Sequence, residues 1–171
     1  PWRFYDEPAI DDPTRNSHPV NRLRNLLIAR TEGKKLFLKS GKWVINKDWI
    51  IPPGFMVVAP LGLELNLING ASIVSYSPLQ WIGSPLQPIR VLSSDGTGQG
   101  VAVLNAGRMS ILKYVIFKKL ANPHKNGWAL SGAVTFYESP LDMEHCEFRA
   151  NKSEDSLNII RSNISIDNSN F

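Results

Sequence analysis

Two segments near the end of the chain repeat one pattern of apolar and polar residues at a fixed distance. Residues 141–148 (LDMEHCEF) align without a gap with residues 164–171 (ISIDNSNF), at an offset of 23 residues. Residues 110–117 align with 141–148 at an offset of 31, and the eight additional residues fit in a loop at 121–128. A repeat of roughly 20 to 50 residues that is made of strands, with no helix between them, predicts a β-solenoid.

The alignment stacks residues of one kind in columns. Because side chains alternate along a strand, three columns should point inward. They are Leu112/Met143/Ile166, Val115/Cys146/Ser169 and Phe117/Phe148/Phe171. The column Lys113/Glu144/Asp167 should point outward, and the break in alternation at Tyr114/His145/Asn168 predicts a tight turn. Core positions of a β-sandwich would not recur at a fixed offset, so the pattern favours a parallel β-helix.

The rest of the chain fits this architecture. From Leu36 onward, short apolar runs alternate with turn residues such as Pro52-Pro53-Gly54, which predicts many short strands over 36–171. Residues 1–35 are predicted to form an irregular arm and an amphipathic helix that caps the first coil. The signals for this helix are an N-cap at Ser17, an apolar face of Val20, Leu23, Leu26 and Leu27, and a stop at Gly33.

Composition excludes several functional classes. With 43% hydrophobic and 20% charged residues, the chain is typical of an ordered protein, and no apolar run reaches the roughly 18 residues of a membrane span. The single cysteine, Cys146, excludes an internal disulfide and a cysteine-rich zinc site. The net charge of +4 is spread along the chain, which argues against a nucleic-acid partner. The glycine-rich segment 94–100 lacks the ending of a phosphate-binding loop and is predicted to be a turn.

Two segments carry a family resemblance. Residues 49–55 (WIIPPGF) resemble the first coil of right-handed parallel β-helices of the pectin-lyase-like superfamily. Residues 153–162 (SEDSLNIIRS) are similar to β-helix regions of bacterial surface proteins, some of which accompany spore-coat-H-type kinase modules. The resemblance covers about residues 41–171 and implies a right-handed parallel β-helix. Enzymes of the superfamily act on polysaccharides with carboxylates and basic residues of one outer sheet, but no kinase motif occurs in this chain.

One candidate catalytic set follows from the repeat. At the offset of 23, Glu138 stacks over Arg161 and Thr135 over Asn158, with Glu154 and Asp155 in the same coil as Arg161. Such carboxylates beside an Arg could serve β-elimination or hydrolysis of an acidic polysaccharide. The alternative, which the pattern favours, is an ordinary Glu138–Arg161 pair between strands and a solvated turn at 154–155.

A candidate metal set is formed by Asp142, Glu144 and Asp167. Glu144 falls in register with Asp167, and two like charges in register suggest a cation such as Ca²⁺ between them unless Lys113, Arg149 or Lys152 neutralises them.

Other chemistry-bearing residues have simpler interpretations. His18, His124 and His145 share no ligand spacing, and Cys146 falls in an inward column as a structural thiol. Trp81 and Trp128 would support a sugar-stacking surface if they were exposed, but core filling is the default interpretation.

The function predicted from the sequence is a non-catalytic β-helical module of a larger, bacterial, extracellular or envelope-associated protein. It would serve as a scaffold or a carbohydrate-contacting surface, without a cofactor. The alternative is a polysaccharide lyase or glycoside hydrolase that uses the candidate catalytic set. Because the repeat is interrupted after Phe171, we expect the partners to be further coils or modules of the same protein, with polysaccharide as the ligand.

Overall fold

A computed structural model describes residues 27–125 and 128–171 of the chain. Short strands follow one another along these residues. In chain order they are β1 (Ile28–Glu32), β2 (Lys35–Leu38), β3 (Lys42–Ile45), β4 (Trp49–Ile51), β5 (Met56–Ala59), β6 (Glu64–Leu67), β7 (Ile73–Ser75), β8 (Leu79–Ile82), β9 (Ile89–Leu92), β10 (Val101–Leu104), β11 (Ser110–Lys113), β12 (Val115–Lys118), β13 (His124–Lys125), β14 (Trp128–Ala129), β15 (Gly132–Tyr137), β16 (Leu141–Glu144), β17 (Glu147–Arg149), β18 (Asp155–Ile160) and β19 (Ile164–Asp167).

Successive strands enter three sheets in rotation. Sheet I has the order β1-β2-β5-β8-β11-β16-β19, sheet II the order β3-β6-β9-β12-β17, and sheet III the order β4-β7-β10-β15-β18. From β2 onward, each strand of these sheets pairs in parallel with the equivalent strand of the next coil. The chain passes through sheets I, II and III once per coil, so the described residues form a parallel β-solenoid, as predicted.

The first two members of each predicted column lie in the interior, whereas Ile166 and Phe171, the third members of two columns, are exposed. Leu112 pairs with Met143, Met143 with Ile166, and Phe117 with Phe148. The Phe117 and Phe148 rings stack with their centroids 5.1 Å apart, and the Phe148 and Phe171 rings with theirs 4.8 Å apart. The ring spacing matches the separation of neighbouring strands, about 4.8 Å, so each ring covers the next one along the solenoid axis.

Several corners of the solenoid use a residue with left-handed backbone. The predicted turn after sheet I is confirmed by positive φ angles at Tyr114 (51°), His145 (52°) and Asn168 (47°). The equivalent turns after sheets II and III use Lys119, Ala150, Asn105, Glu138 and Arg161, which also have positive φ. A single residue with left-handed backbone changes the chain direction within one or two residues, and this keeps the coils short.

The loop predicted at 121–128 is present as an insertion between β12 and β15. It includes a short antiparallel hairpin, in which His124 pairs with Ala129. Leu130, which follows the hairpin, packs with Ala102 and Tyr137 in an apolar cluster on the outer side of sheet III. The insertion thus lengthens one coil and covers part of one wall.

The predicted capping helix is wrong over residues 28–32, whereas Leu27, the first described residue, is helical. Residues 28–32 form β1, which pairs antiparallel with β2, and Gly33 (φ 55°) lies in the hairpin turn instead of ending a helix. Strand pairing at the edge of sheet I satisfies the backbone there and outweighs the weak helical periodicity. The rest of the predicted helix, with Ser17, Val20, Leu23 and Leu26, lies outside the described residues.

The stacked rings allow a direct test of the columns. We expect Phe117→Ala to lower the free energy of unfolding by about 3–5 kcal/mol, because it leaves a cavity at a fully buried position. Ile116→Ala, on the outward side of the same strand, should cost less than about 1 kcal/mol. Urea unfolding of the two variants measures the difference. Equal losses would contradict the assignment of Phe117 to the interior.

Candidate functional site

Glu138 and Arg161 lie in neighbouring coils, each at the corner that connects sheet III to sheet I. Glu138 follows β15 and Arg161 follows β18, and their left-handed backbones direct both side chains outward. Arg161 Nη1 lies 3.5 Å from Glu138 Oε1, and it donates to the Tyr137 hydroxyl at 3.3 Å. Both side chains of the ion pair are exposed, 40% for Glu138 and 68% for Arg161. The pair predicted from the offset of 23 is therefore present, as a contact between coils.

Glu154 and Asp155 lie elsewhere. Asp155 begins β18 and Arg161 follows its end, so about 20 Å of extended strand separates them. The Asp155 amide donates to the Ser131 carbonyl at 3.1 Å, and both carboxylates are exposed. The candidate catalytic set is thus divided between the two ends of the strands of sheet III. Glu138 and Arg161 lie at the carboxyl ends, and Glu154 and Asp155 lie at the amino end of β18.

The remaining predicted neighbours on this wall serve packing. Thr135 pairs with Asn158, as the offset predicted, and Thr135 is fully buried. The Asn158 side-chain amide donates to Ser131 Oγ at 2.7 Å. Hydrogen bonds of this kind connect the coil of β18 with the coil of β15.

One member of the candidate metal set, Glu144, is paired with a lysine. Glu144 is in register with Asp167, but Lys113, one coil away in the other direction, donates from Nζ to Glu144 Oε2 at 2.6 Å. This hydrogen bond and the attraction between the charges raise the pKa of Lys113 and lower the pKa of Glu144 from their usual values. No group of three potential ligands that could hold a metal ion occurs within residues 27–125 and 128–171. The structure therefore realises the alternative in which Lys113 pairs with Glu144.

An aromatic pair beside this ion pair was not foreseen. The rings of Tyr114 and His145 stack at the corner between sheets I and II, with centroids 4.7 Å apart and an interplanar angle of 12°. His145 Nε2 also lies 3.4 Å from Glu144 Oε1. The alignment had placed both residues in one turn column, and equal backbone conformation at equal positions brings the rings face to face.

Trp81 and Cys146 belong to the core. Trp81 is 0% exposed in the column Ala59/Trp81/Leu112 of sheet I, so core filling is confirmed for this residue. The Trp128 side chain lies outside what the structure describes. Cys146 is also 0% exposed, and burial raises the pKa of its thiol to about 11. A thiol that is neutral at ordinary pH and inaccessible is a structural residue, as predicted.

The glycine-rich turn at residues 94–100 contains a dense network of hydrogen bonds around Asp95. The Asp95 carboxylate accepts hydrogen bonds of 2.9 Å from the Asn69 amide, from the Thr97 amide and hydroxyl, and from Ser93 Oγ. The bonds from the Asn69 and Thr97 amides hold the pKa of Asp95 far below its usual range. A Cβ at Gly100 would collide with the Ala133 carbonyl, which explains the glycine there. The prediction of a turn was correct, and the network connects two coils.

Comparison with protein-family models, with curated proteins and with solved structures finds no match for this chain. In the part of the chain that the structure describes, no helix has the length and apolar character needed to cross a membrane.

The Asp95 network predicts a pH dependence of stability. The folded-state pKa of Asp95 lies below its unfolded value of about 3.9. Its contribution is therefore complete above that value and is lost as the pH falls toward the folded-state pKa. We expect Asp95→Asn to lower the free energy of unfolding at pH 7, and its difference from wild type to shrink in acid. Urea unfolding from pH 7 to pH 2 measures this. Glu154→Gln, at an exposed turn, is the control, and a difference for Asp95→Asn that does not change with pH would contradict the role.

Proposed function

We propose that this β-solenoid is a non-catalytic scaffold module of a larger protein. The observation that carries the proposal is that outward charged residues form ion pairs between neighbouring coils. Glu138 pairs with Arg161 and Lys113 pairs with Glu144, each time between neighbouring coils. Groups that could otherwise form a reactive cluster are engaged in holding coils together, and Glu154 and Asp155 lie away from them at the other edge of sheet III.

A stack of this kind is suited to hold surface loops at fixed positions. Its interior columns form one hydrophobic cluster, and some of the loops lie outside this cluster. The loop between β8 and β9 is an example. Ser84 and Gln87 exchange backbone hydrogen bonds of 3.2 Å, and Leu86 at the tip is 94% exposed. Side chains displayed in this way are available to partners while the core remains unchanged.

We further propose that the solenoid is right-handed and belongs with the pectin-lyase-like β-helices that residues 49–55 resemble. Parallel β connections are right-handed in roughly 98% of cases, which supports the handedness. Location outside the cell or in the envelope of a bacterium, and contact with carbohydrate, are the parts of the proposal that rest on the resemblance. The burial of Trp81 removes one of the two aromatic residues that the sequence offered for stacking on sugars.

An activity assay tests the proposal against the enzyme alternative. The wild type is incubated with a panel of acidic polysaccharides and compared with the variant Glu138→Gln/Glu154→Gln/Asp155→Asn/Arg161→Gln. We expect no unsaturated products and no new reducing ends from either protein. Cleavage by the wild type that the variant lacks would contradict the scaffold proposal and would support the lyase or hydrolase.

The tolerance of the loops gives a positive test. Replacing residues 84–87 by a Gly/Ser loop of twice the length should cost only about 0.6 kcal/mol of closure entropy, because the loop is outside the core. The matched control places the same insertion in the centre of β9, where it should abolish cooperative unfolding. Thermal denaturation compares the two proteins. A loop replacement as damaging as the strand insertion would contradict the role of the stack as a rigid support.

A further inference from the structure

The outer wall of sheet III is largely apolar. Side chains alternate along its strands, so the residues between the inward positions point outward. The register of the strands arranges these outward residues in two columns along the solenoid axis, Ile50/Val74/Ala102/Thr135/Asn158 and Leu104/Tyr137/Ile160. The outer walls of sheets I and II carry charged columns instead, such as Lys113/Glu144 and Lys118/Arg149.

Much of this outer wall is buried. Val74 is 7% exposed, Leu104 8% and Tyr137 3%. Outward residues of the other two walls are more exposed, as Ile82 of sheet I (38%) and Val44 of sheet II (57%) show. An outward side chain loses contact with water only where other atoms lie over it. The outer wall of sheet III therefore requires a cover.

Within residues 27–125 and 128–171, the apolar cover of this wall is small. Leu130 is the one described member of the apolar cluster on the wall that does not come from sheet III or its corners. The wall has five strands and extends for about 19 Å along the axis. Val74 lies on β7, two strands away from β15, which follows Leu130. One leucine side chain cannot cover such a surface, so a second segment is needed over Val74 and Leu104.

We propose that residues 1–16 of the same chain lie along the outer wall of sheet III and cover Val74 and Leu104. The position of Leu27 supports this occupant. Lys39, between β2 and β3, donates to the Leu27 carbonyl at 2.8 Å, so Leu27 lies at the corner between sheets I and II. Sheet III is the wall opposite this corner. The helix that the sequence predicts from Ser17 onward would span about 16 Å up to Leu27, comparable to the width of a coil.

The sequence of residues 1–16 fits an apolar wall. Trp2, Phe4 and Tyr5 place three aromatic residues in five positions, a composition that is unusual for a segment that stays in water. In extended backbone the side chains of Trp2 and Phe4 point to the same side, so both rings can pack on the wall. Sixteen extended residues reach up to about 53 Å, more than the length of the wall.

Charge and connectivity favour the same occupant. Arg161 lies at the rim of the wall, where it donates to the Tyr137 hydroxyl at 3.3 Å. Residues 1–16 carry four carboxylates, those of Asp6, Glu7, Asp11 and Asp12. A segment of the same chain also does not lose the translational freedom that a separate partner loses on binding.

The aromatic residues at the start of the chain provide the first test. In the full-length variant Trp2→Ala/Phe4→Ala/Tyr5→Ala, we expect the methyl resonances of Val74 and Leu104 to shift, because these methyl groups lose the ring currents of the aromatic side chains. Methyl NMR spectra of the variant and the wild type measure the shifts.

Two controls accompany this test. The variant Thr14→Ala/Arg15→Ala/Asn16→Ala changes three residues of the same segment without removing a ring, and it should leave the methyl resonances of the wall in place. The Val44 methyl groups, on the outer wall of sheet II, should not respond to either variant.

A substitution in the wall provides the second test. Leu104→Asp places a charge under the proposed cover and should release residues 1–16, so trypsin should cleave after Arg15 at least about tenfold faster than in the wild type. Val44→Asp makes the same kind of change on the wall of sheet II and should leave the cleavage rate unchanged. Mass spectrometry measures the cleavage, and circular dichroism checks that both variants keep their strands.

Three results would overturn the proposal. The first is unchanged Val74 and Leu104 resonances in the aromatic variant of a monomeric protein, since the wall would then be available to a separate partner. The second is equal cleavage after Arg15 in the wild type and in Leu104→Asp. The third is a wild type that sediments as a dimer and whose wall resonances move on dilution, because a second copy would then cover the wall.

Discussion

The structure depends on the contact between equivalent residues of neighbouring coils. One coil cannot bury its own inward side chains, because three short strands enclose too little volume. Phe148 is buried since Phe117 lies on one of its faces and Phe171 on the other. This constraint requires similar residues at equal positions in successive coils, and it makes a fixed offset visible in a single sequence. It also makes every coil dependent on both neighbours.

The same constraint determines what the sequence could predict. The phenylalanine column, the left-handed corner at Tyr114/His145/Asn168 and the insertion after β12 followed from the alignment, because each repeats or interrupts a period. The end of the N-terminal helix was predicted wrongly because residues 28–32 have no equivalent in another coil. Their conformation depends on pairing with β2, a contact that the helical spacing of Val20, Leu23, Leu26 and Leu27 does not reveal.

The candidate sites were predicted less well than the fold, for a related reason. The offset placed Glu138 over Arg161 correctly, because both residues occupy the same corner. It gave no information on distance along the strand, so Asp155 was grouped with Arg161 although β18 lies between them. The Lys113–Glu144 pair was one of several alternatives, and the choice among them depends on side-chain reach. The Asp95 network combines residues 93–97 with Asn69 from the preceding coil, which no repeat indicates.

The assignment of the outward charged residues is what supports the proposed scaffold over the enzyme alternative. In a solenoid, any outward position that recurs acquires neighbours at about 4.8 Å along the axis, so charged columns arise from the geometry alone. Opposite charges in such a column stabilise the stack, and like charges must be neutralised by a third residue. Lys113 and Glu144 follow this rule as an ion pair between neighbouring coils, and Asp167 lies one coil beyond Glu144. A catalytic site would require charged groups to converge from different columns, and within residues 27–125 and 128–171 the strongest candidates, Glu138 with Arg161 and Glu154 with Asp155, remain at separate edges.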